Sequence, residues 1–270
     1  MESASKDVLF TIALNLDLPS LLKWCKSSSR VNRDVCQNDH VWRSKLLKDY
    51  PNEYHDFQKF GLDRSLRETY VFLYQLAFIR RLMNSNESLY DIFLRKEIDL
   101  SEKGLKKVPA FDLPNLQVLN LSNNQLIEVP AFDLPNLQSL WLNNNQLTQV
   151  PAWNLPNLQR LYLYNNQLTE VPAFDLPNLR KLSLSHNQLT EVPAFDLPNL
   201  QSLGLSKNQL TKVPAWNLPN LQELYLLKNQ LTQIPAWNLP NLQVIYLHDN
   251  QLTEKDKKQL KEKYGNNVGF

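Results

Sequence analysis

The chain has 270 residues, 43% hydrophobic and 21% charged, a composition that excludes wholesale disorder and allows one or two domains. Lysine and arginine number 29 against 27 aspartates and glutamates, a net charge of +2 that is too balanced for nucleic-acid binding as the main activity. Its 5 scattered glycines form no phosphate-cradling loop, no apolar run reaches membrane-spanning length, and 2 cysteines are too few for a disulfide framework or a four-cysteine zinc site.

The N-terminal Met1-Glu2-Ser3-Ala4-Ser5-Lys6 lacks the basic-then-apolar order of a secretory signal. With so few cysteines, a reducing, cytoplasmic compartment is expected. Residues 1–94 carry helical spacing and few prolines. Asp7 opens an apolar stripe of Val8, Leu9, Ile12 and Leu16. Asp17-Leu18-Pro19-Ser20 restarts a helix with Leu21, Leu22 and Cys25 on one face, and Val35, Cys36 and Val41 precede Trp42. Cys25 follows Trp24 on an apolar face and Cys36 sits between Val35 and Gln37, so both suit core packing rather than the chemistry of a low-pKa thiol.

The leading apolar helix, the Leu16-Asp17-Leu18-Pro19-Ser20-Leu21-Leu22 turn and the closing Trp42 resemble the F-box. They are most similar to F-box-type modules encoded by large DNA viruses, which often precede repeat arrays. The Leu-Pro pair that opens that family's pattern is replaced by Ala4-Ser5. The resemblance implies a helical module over residues 1–50 that docks on the Skp-type linker subunit of a cullin–RING ubiquitin ligase. It also implies that Leu9, Leu16, Leu18, Pro19, Leu21, Leu22 and Trp42 make or support that contact. For a viral protein the site of action would be the host cytoplasm.

Residues 51–94 form a helical connector. Tyr70, Phe72, Leu73, Leu76, Ile79, Leu82 and Met83 recur at helical spacing and predict a long helix, ended by Asn84-Ser85-Asn86. Ser88 is placed to cap a short helix leading into the first strand.

Beyond it the prolines are periodic. Pro109, Pro130, Pro151, Pro172, Pro193, Pro214 and Pro235 recur every 21 residues, and a second series from Pro114 to Pro240 keeps the same period. Seven units fill 108–254, and the first contains Leu116, Leu119, Leu121, Asn124 and Leu126 in the frame LxxLxLxxNxL. That frame at that period resembles the leucine-rich repeat family. The predicted fold is therefore α plus solenoid: a helical F-box-like module, then a 21-residue-period array with a parallel concave sheet. Residues 95–107 form an N-terminal partial repeat that caps one end. A lysine-rich helix within 255–270 caps the other, with Leu260 and Tyr264 toward the last unit.

Within a unit, Leu119 and Leu121 alternate inward. Asn124 and its equivalents at 145, 166, 187, 208, 229 and 250 end each strand and predict a ladder of buried amides. Two prolines per unit argue against an outer helix and for extended or short 3₁₀ runs. Phe111, Phe132, Trp153, Phe174, Phe195, Trp216 and Trp237 sit at the outer turn as core filler.

Outward positions of the strands vary most. The column between the two strand leucines runs Asn120, Trp141, Tyr162, Ser183, Gly204, Tyr225, Tyr246. Trp141 and Tyr162, joined by Tyr164, form one aromatic patch, and Tyr225 and Tyr246 a second. Ser183 and Gly204 leave a shallow notch roughly 10 Å wide between them, at about 4.8 Å per strand. Arg160, Lys181, His186, Lys207 and Lys228 surround the notch with positive charge. Exposed aromatics with cationic neighbours are the residue types of interface hot spots. The expected partner is a protein segment with acidic and apolar residues.

No HExxH, GxSxG or paired-carboxylate motif is present, and His186 and His248 lie in separate units, so no catalytic residue, cofactor or metal is expected. The expected function is that of a monomeric substrate-recognition adaptor, tying a target on the concave face to a ubiquitin ligase. The alternative is a ligase-independent scaffold that captures or masks a partner.

Overall fold

The structure, a computed structural model, describes residues 5–270, so Ala4 of the Ala4-Ser5 pair lies outside the described residues. The chain divides between Leu94 and Arg95 into a helical unit and a solenoid.

The helical unit comprises α1 (Lys6–Asn15), α2 (Leu18–Ser27), α3 (Ser29–Val31) running into a π-helical turn (Asn32–Cys36), α4 (Asp39–Asp49) and α5 (Pro51–His55). A 3₁₀ turn (Phe57–Phe60), α6 (Leu66–Leu82) and α7 (Leu89–Leu94) complete it. Short polar side chains start the helices by accepting from orphan backbone N–H groups. Asp17 accepts from Ser20 N at 2.9 Å, with Pro19 in the first turn of α2. Ser65 and Glu68 form a reciprocal capping box on α6. Ser88 accepts from Asp91 N at 3.1 Å, as its position predicts.

The core of this unit gathers Leu9, Leu21, Val35, Leu46 and Trp42, whose indole N–H donates to the Cys36 carbonyl at 3.0 Å. Lys45 is also buried there. Its ammonium donates to the Leu16 carbonyl at 2.7 Å and pairs with Asp49 at 3.2 Å, and Asp49 accepts the Tyr70 hydroxyl at 2.6 Å. Burial, and then the bond to Asp49, push the Tyr70 phenol well above its ordinary pKa. The network ties α1, α4 and α6 through one paired charge, the form in which a buried charge is tolerated.

Cys25 and Cys36 are core residues, but they are not the two separate thiols that the sequence suggests. A disulfide joins them, with Cα atoms 6.0 Å apart across 11 residues. The reversal at Ser28 lays the π-helical turn back against α2, which brings the two faces together. Closing a loop of this length stabilises by about 3 kcal/mol in the chain-entropy account. Reduction should therefore lower the denaturation midpoint of the helical unit by that order. Urea titration followed by circular dichroism, with and without dithiothreitol, checks this. The Cys25→Ala, Cys36→Ala protein should be insensitive to the reductant.

The solenoid is a nine-stranded sheet in chain order, every pair parallel. Its strands are β1 (Glu97–Asp99), β2 (Val118–Asn120), β3 (Ser139–Trp141), β4 (Arg160–Tyr162), β5 (Lys181–Ser183), β6 (Ser202–Gly204), β7 (Glu223–Tyr225), β8 (Val244–Tyr246) and β9 (Val268–Gly269). The central residues Ile98, Leu119, Leu140, Leu161, Leu182, Leu203, Leu224 and Ile245 are in register and buried.

The asparagine ladder forms as expected. Asn187 accepts from Leu168 N at 3.0 Å and donates to Leu163 O at 3.0 Å and Leu184 O at 2.9 Å. The outer runs are extended, as two prolines per coil require. Behind them the aromatic rings stack, from Phe111 on Phe132 at 6.0 Å to Trp216 on Trp237 at 5.9 Å. Each tryptophan of this stack also reaches the preceding coil, Trp216 N–H donating to Pro193 O at 3.2 Å.

After β8 the capping helix α8 (Glu254–Tyr264) buries Leu260. The chain then adds β9, which the sequence reading does not anticipate. Leu247 N donates to Gly269 O at 2.8 Å. A Cβ at 269 would sit 2.8 Å from His248 Nε2 and 3.1 Å from the Tyr246 ring, so any larger residue requires those side chains to move.

Candidate functional site: the concave face

Three rows of side chains cross the exposed face of the sheet. The first includes Arg160, Lys181, Ser202 and Glu223, and the second Trp141, Tyr162, Ser183, Gly204, Tyr225 and Tyr246. The third, two residues further on, includes Tyr164, Ser185, Ser206 and Leu227. Trp141 and Tyr162 pack with ring centroids 4.3 Å apart, and Tyr225 and Tyr246 stack at 5.5 Å. Lys181 lies over the Tyr162 ring, 5.7 Å from its centroid, and Arg160 donates to Ser139 Oγ at 3.2 Å. Burial and the neighbouring Glu223 raise the Tyr225 phenol's pKa.

His186, Lys207 and Lys228 do not stand on the strand face. They occupy the turn just past it, with φ between 54° and 58°, in the left-handed region. Asn123, Asn144 and Asn165 hold the same position in earlier coils and link side chain to side chain at 2.6 and 2.7 Å. Asparagine and histidine tolerate this conformation; lysine gains nothing from it. Burial, then the charges of Lys207 and Lys228, hold the His186 imidazole below its ordinary pKa, which disfavours a third positive charge beside the two lysines.

Between the two aromatic pairs lies a recess of about 300 Å³, with Lys181, His186 and Lys207 at its rim and Gly204 inside. Ser185, Ser206 and Glu223 also line it. The sequence reading passes over Ser185 and Ser206, although the alternation that selects Tyr162 and Tyr164 selects Ser183 and Ser185 as well. Among the described residues, no group of three or more His, Cys, Asp or Glu side chains gathers as metal ligands would.

In the helical unit, Leu9, Leu18, Leu21 and Trp42 are buried in its own core, so they can only support an outside contact. Leu16 and Leu22 are half-buried and Pro19 is exposed. Among the described residues, the large apolar side chains left at its surface are Val8 and Ile12, one turn apart on α1, Leu47 on α4 and Leu94 at the end of α7, at 49%, 37%, 43% and 43% exposure.

Residues 114–258 match the family model for leucine-rich repeats (2 copies), in overlapping windows two coils long. A leucine-rich-repeat protein of Leptospira interrogans is 35% identical with a TM-score of 0.62, over 65% of this chain and 48% of that one. InlP of Listeria monocytogenes is 25% identical with a TM-score of 0.58, over 72% of this chain and 67% of its own. A Shigella effector leucine-rich-repeat domain is 25% identical with a TM-score of 0.54, over 80% of this chain and 90% of its own. The chain thus spans about half the length of the Leptospira protein. No curated protein sequence matches it. The repeat frame, the ladder, the parallel sheet and the family match agree: this chain belongs to the leucine-rich repeat family.

Proposed function

We propose that the protein is an interaction receptor that captures a protein segment with acidic and apolar residues on its concave face. The observation that carries this reading is the pair of aromatic stacks flanking a cation-rimmed recess, Trp141–Tyr162 on one side and Tyr225–Tyr246 on the other. Aromatic anchors with adjacent cations concentrate binding energy at interfaces. Rim charges also steer an acidic partner in. The test is capture by cross-linking in cells, with the partner identified and its dissociation constant then measured. Lys181→Glu with Lys207→Glu should weaken capture by about tenfold or more, at about 1.4 kcal/mol per tenfold. Unchanged affinity sinks the reading.

The F-box resemblance extends the proposal. The helical unit would dock on a Skp-type linker subunit, making the protein a substrate-recognition adaptor for a cullin–RING ligase. The exposed Val8 and Ile12 supply apolar surface for such a contact. Co-expression with the linker subunit should give a complex that co-elutes on a sizing column and is lost in Val8→Asp, Ile12→Asp. Those positions are the informative ones, because Leu9 is 1% exposed and a charge there would break the core instead. If no complex forms, the ligase-independent scaffold stands.

A further inference from the structure

The Cys25–Cys36 disulfide is approachable from one side. Cys25 is 8% exposed and Cys36 2%, so a thiol arriving from solvent meets the Cys25 sulfur first. Cys25 stands in the wall of a recess of about 500 Å³, which Leu22, Lys26, Ser28, Asn32 and Arg67 also line. That volume is within the range of small-molecule sites. Its charge is of one sign. Lys26 and Arg67 are both exposed, and among the described residues no acidic side chain lines the recess. Asp34, two residues before Cys36, is paired with Arg30 and Arg33 instead.

These cations act on the species that opens disulfides, which is a thiolate. Two fixed positive charges raise the local concentration of an anionic thiol. They also hold its carboxylates, arginine through its planar fork and lysine as a point charge.

We propose that the recess is a docking and modification site for a small anionic thiol of the glutathione class, which opens the disulfide at Cys25. The thiolate sulfur bonds to Cys25 Sγ as the Cys25–Cys36 bond breaks. The electron pair leaves on Cys36 Sγ, which takes a proton from water. A second thiolate then attacks the sulfur of the adduct and releases Cys25 as a thiolate, which is protonated in turn. The balance is two thiols oxidised to their disulfide and one protein disulfide reduced. Leu22 shares the recess, so the adduct would stand beside a side chain proposed to meet the linker subunit. The exchange itself does not depend on that docking.

The experiment treats the full-length protein with glutathione, 2-mercaptoethanol or cysteamine, which are anionic, neutral and cationic. Time points are quenched in acid, digested with pepsin and read by mass spectrometry. At low ionic strength, and per thiolate present, glutathione should open the disulfide about tenfold faster than 2-mercaptoethanol, and cysteamine should be slowest. Salt at about 1 M should collapse this order in the unaltered protein. Lys26→Gln with Arg67→Gln should collapse it at low salt. Cys36→Ala cannot expel an adduct, so glutathione disulfide should leave glutathione on its Cys25, faster than cystamine leaves cysteamine. Rates that ignore the charge of the thiol overturn the proposal. So does an order that survives both salt and the double variant, or an adduct found on Cys36 of the unaltered protein.

Discussion

Asn187→Ala should destabilise the solenoid by about 3–5 kcal/mol, far more than loss of a typical surface amide. One side chain satisfies the Leu168 N–H and the Leu163 and Leu184 carbonyls, which belong to successive coils. Alanine strands the buried Leu168 N–H, at about 1–3 kcal/mol, and takes one of two donors from each carbonyl, at about 1 kcal/mol apiece, since Asn166 still donates to Leu163 O at 3.0 Å and Asn208 to Leu184 O at 3.1 Å. Two controls separate the ladder from generic truncation. Gln188→Ala, at the exposed neighbour, should stay within about 0.5 kcal/mol. Asn250→Ala, in the last coil where the ladder amide is only part-buried, should cost less than Asn187→Ala. Urea midpoints for the three variants check the ranking; equal losses at 187 and 250 would refute the burial argument.

Trp216→Ala should cost a similar amount, about 3–5 kcal/mol, for a different reason. Its ring is 1% exposed and lies between Phe195 at 6.4 Å and Trp237 at 5.9 Å, so truncation opens a cavity in the middle of the outer stack. Trp216→Phe should cost only about 1 kcal/mol, the worth of the hydrogen bond to Pro193 O. Phenylalanine already occupies this position in coils at 111, 132, 174 and 195, so the same backbone accepts either ring. Thermal and urea unfolding of both variants decide it. A Trp216→Phe loss as large as that of alanine would mean that the indole bond, not the packing, matters most.

Much of this architecture is legible in the residues because it repeats. A leucine frame, a ladder asparagine and two prolines recurring at one period identify inward faces, buried amides and outer extended runs together. Features that occur once carry no such signal. The β9 strand is two residues long, Val268–Gly269, too short for any alternation to register. The Cys25–Cys36 disulfide depends on the reversal at Ser28, and a spacing of 11 on helical segments does not itself bring two side chains together.

The concave site divides in the same way. The aromatic column follows from simple alternation, and its stacking from strand spacing. The left-handed turn at Lys207 and Lys228 is hidden, because lysine gives no hint of it. The asparagines at 123, 144 and 165 are the available clue, since that residue type favours such a conformation. In the helical unit, the apolar stripe does not say which of its members face inward. The structure separates buried Leu9 from exposed Val8 and Ile12.

Every coil meets its neighbours through the same offset of 21 residues. Unequal crossing-over that removes or adds one whole coil therefore preserves each surviving contact, and the shortened or lengthened chain still has a complete ladder and stack. What changes is distance. Loss of the coil bearing Ser183 or Gly204 draws the two aromatic pairs together by one strand spacing, about 4.8 Å, and gain of a coil between them parts the pairs by as much. Coil number thus acts as a ruler, by which duplication in the gene could retune the length of the segment held without the invention of any new contact.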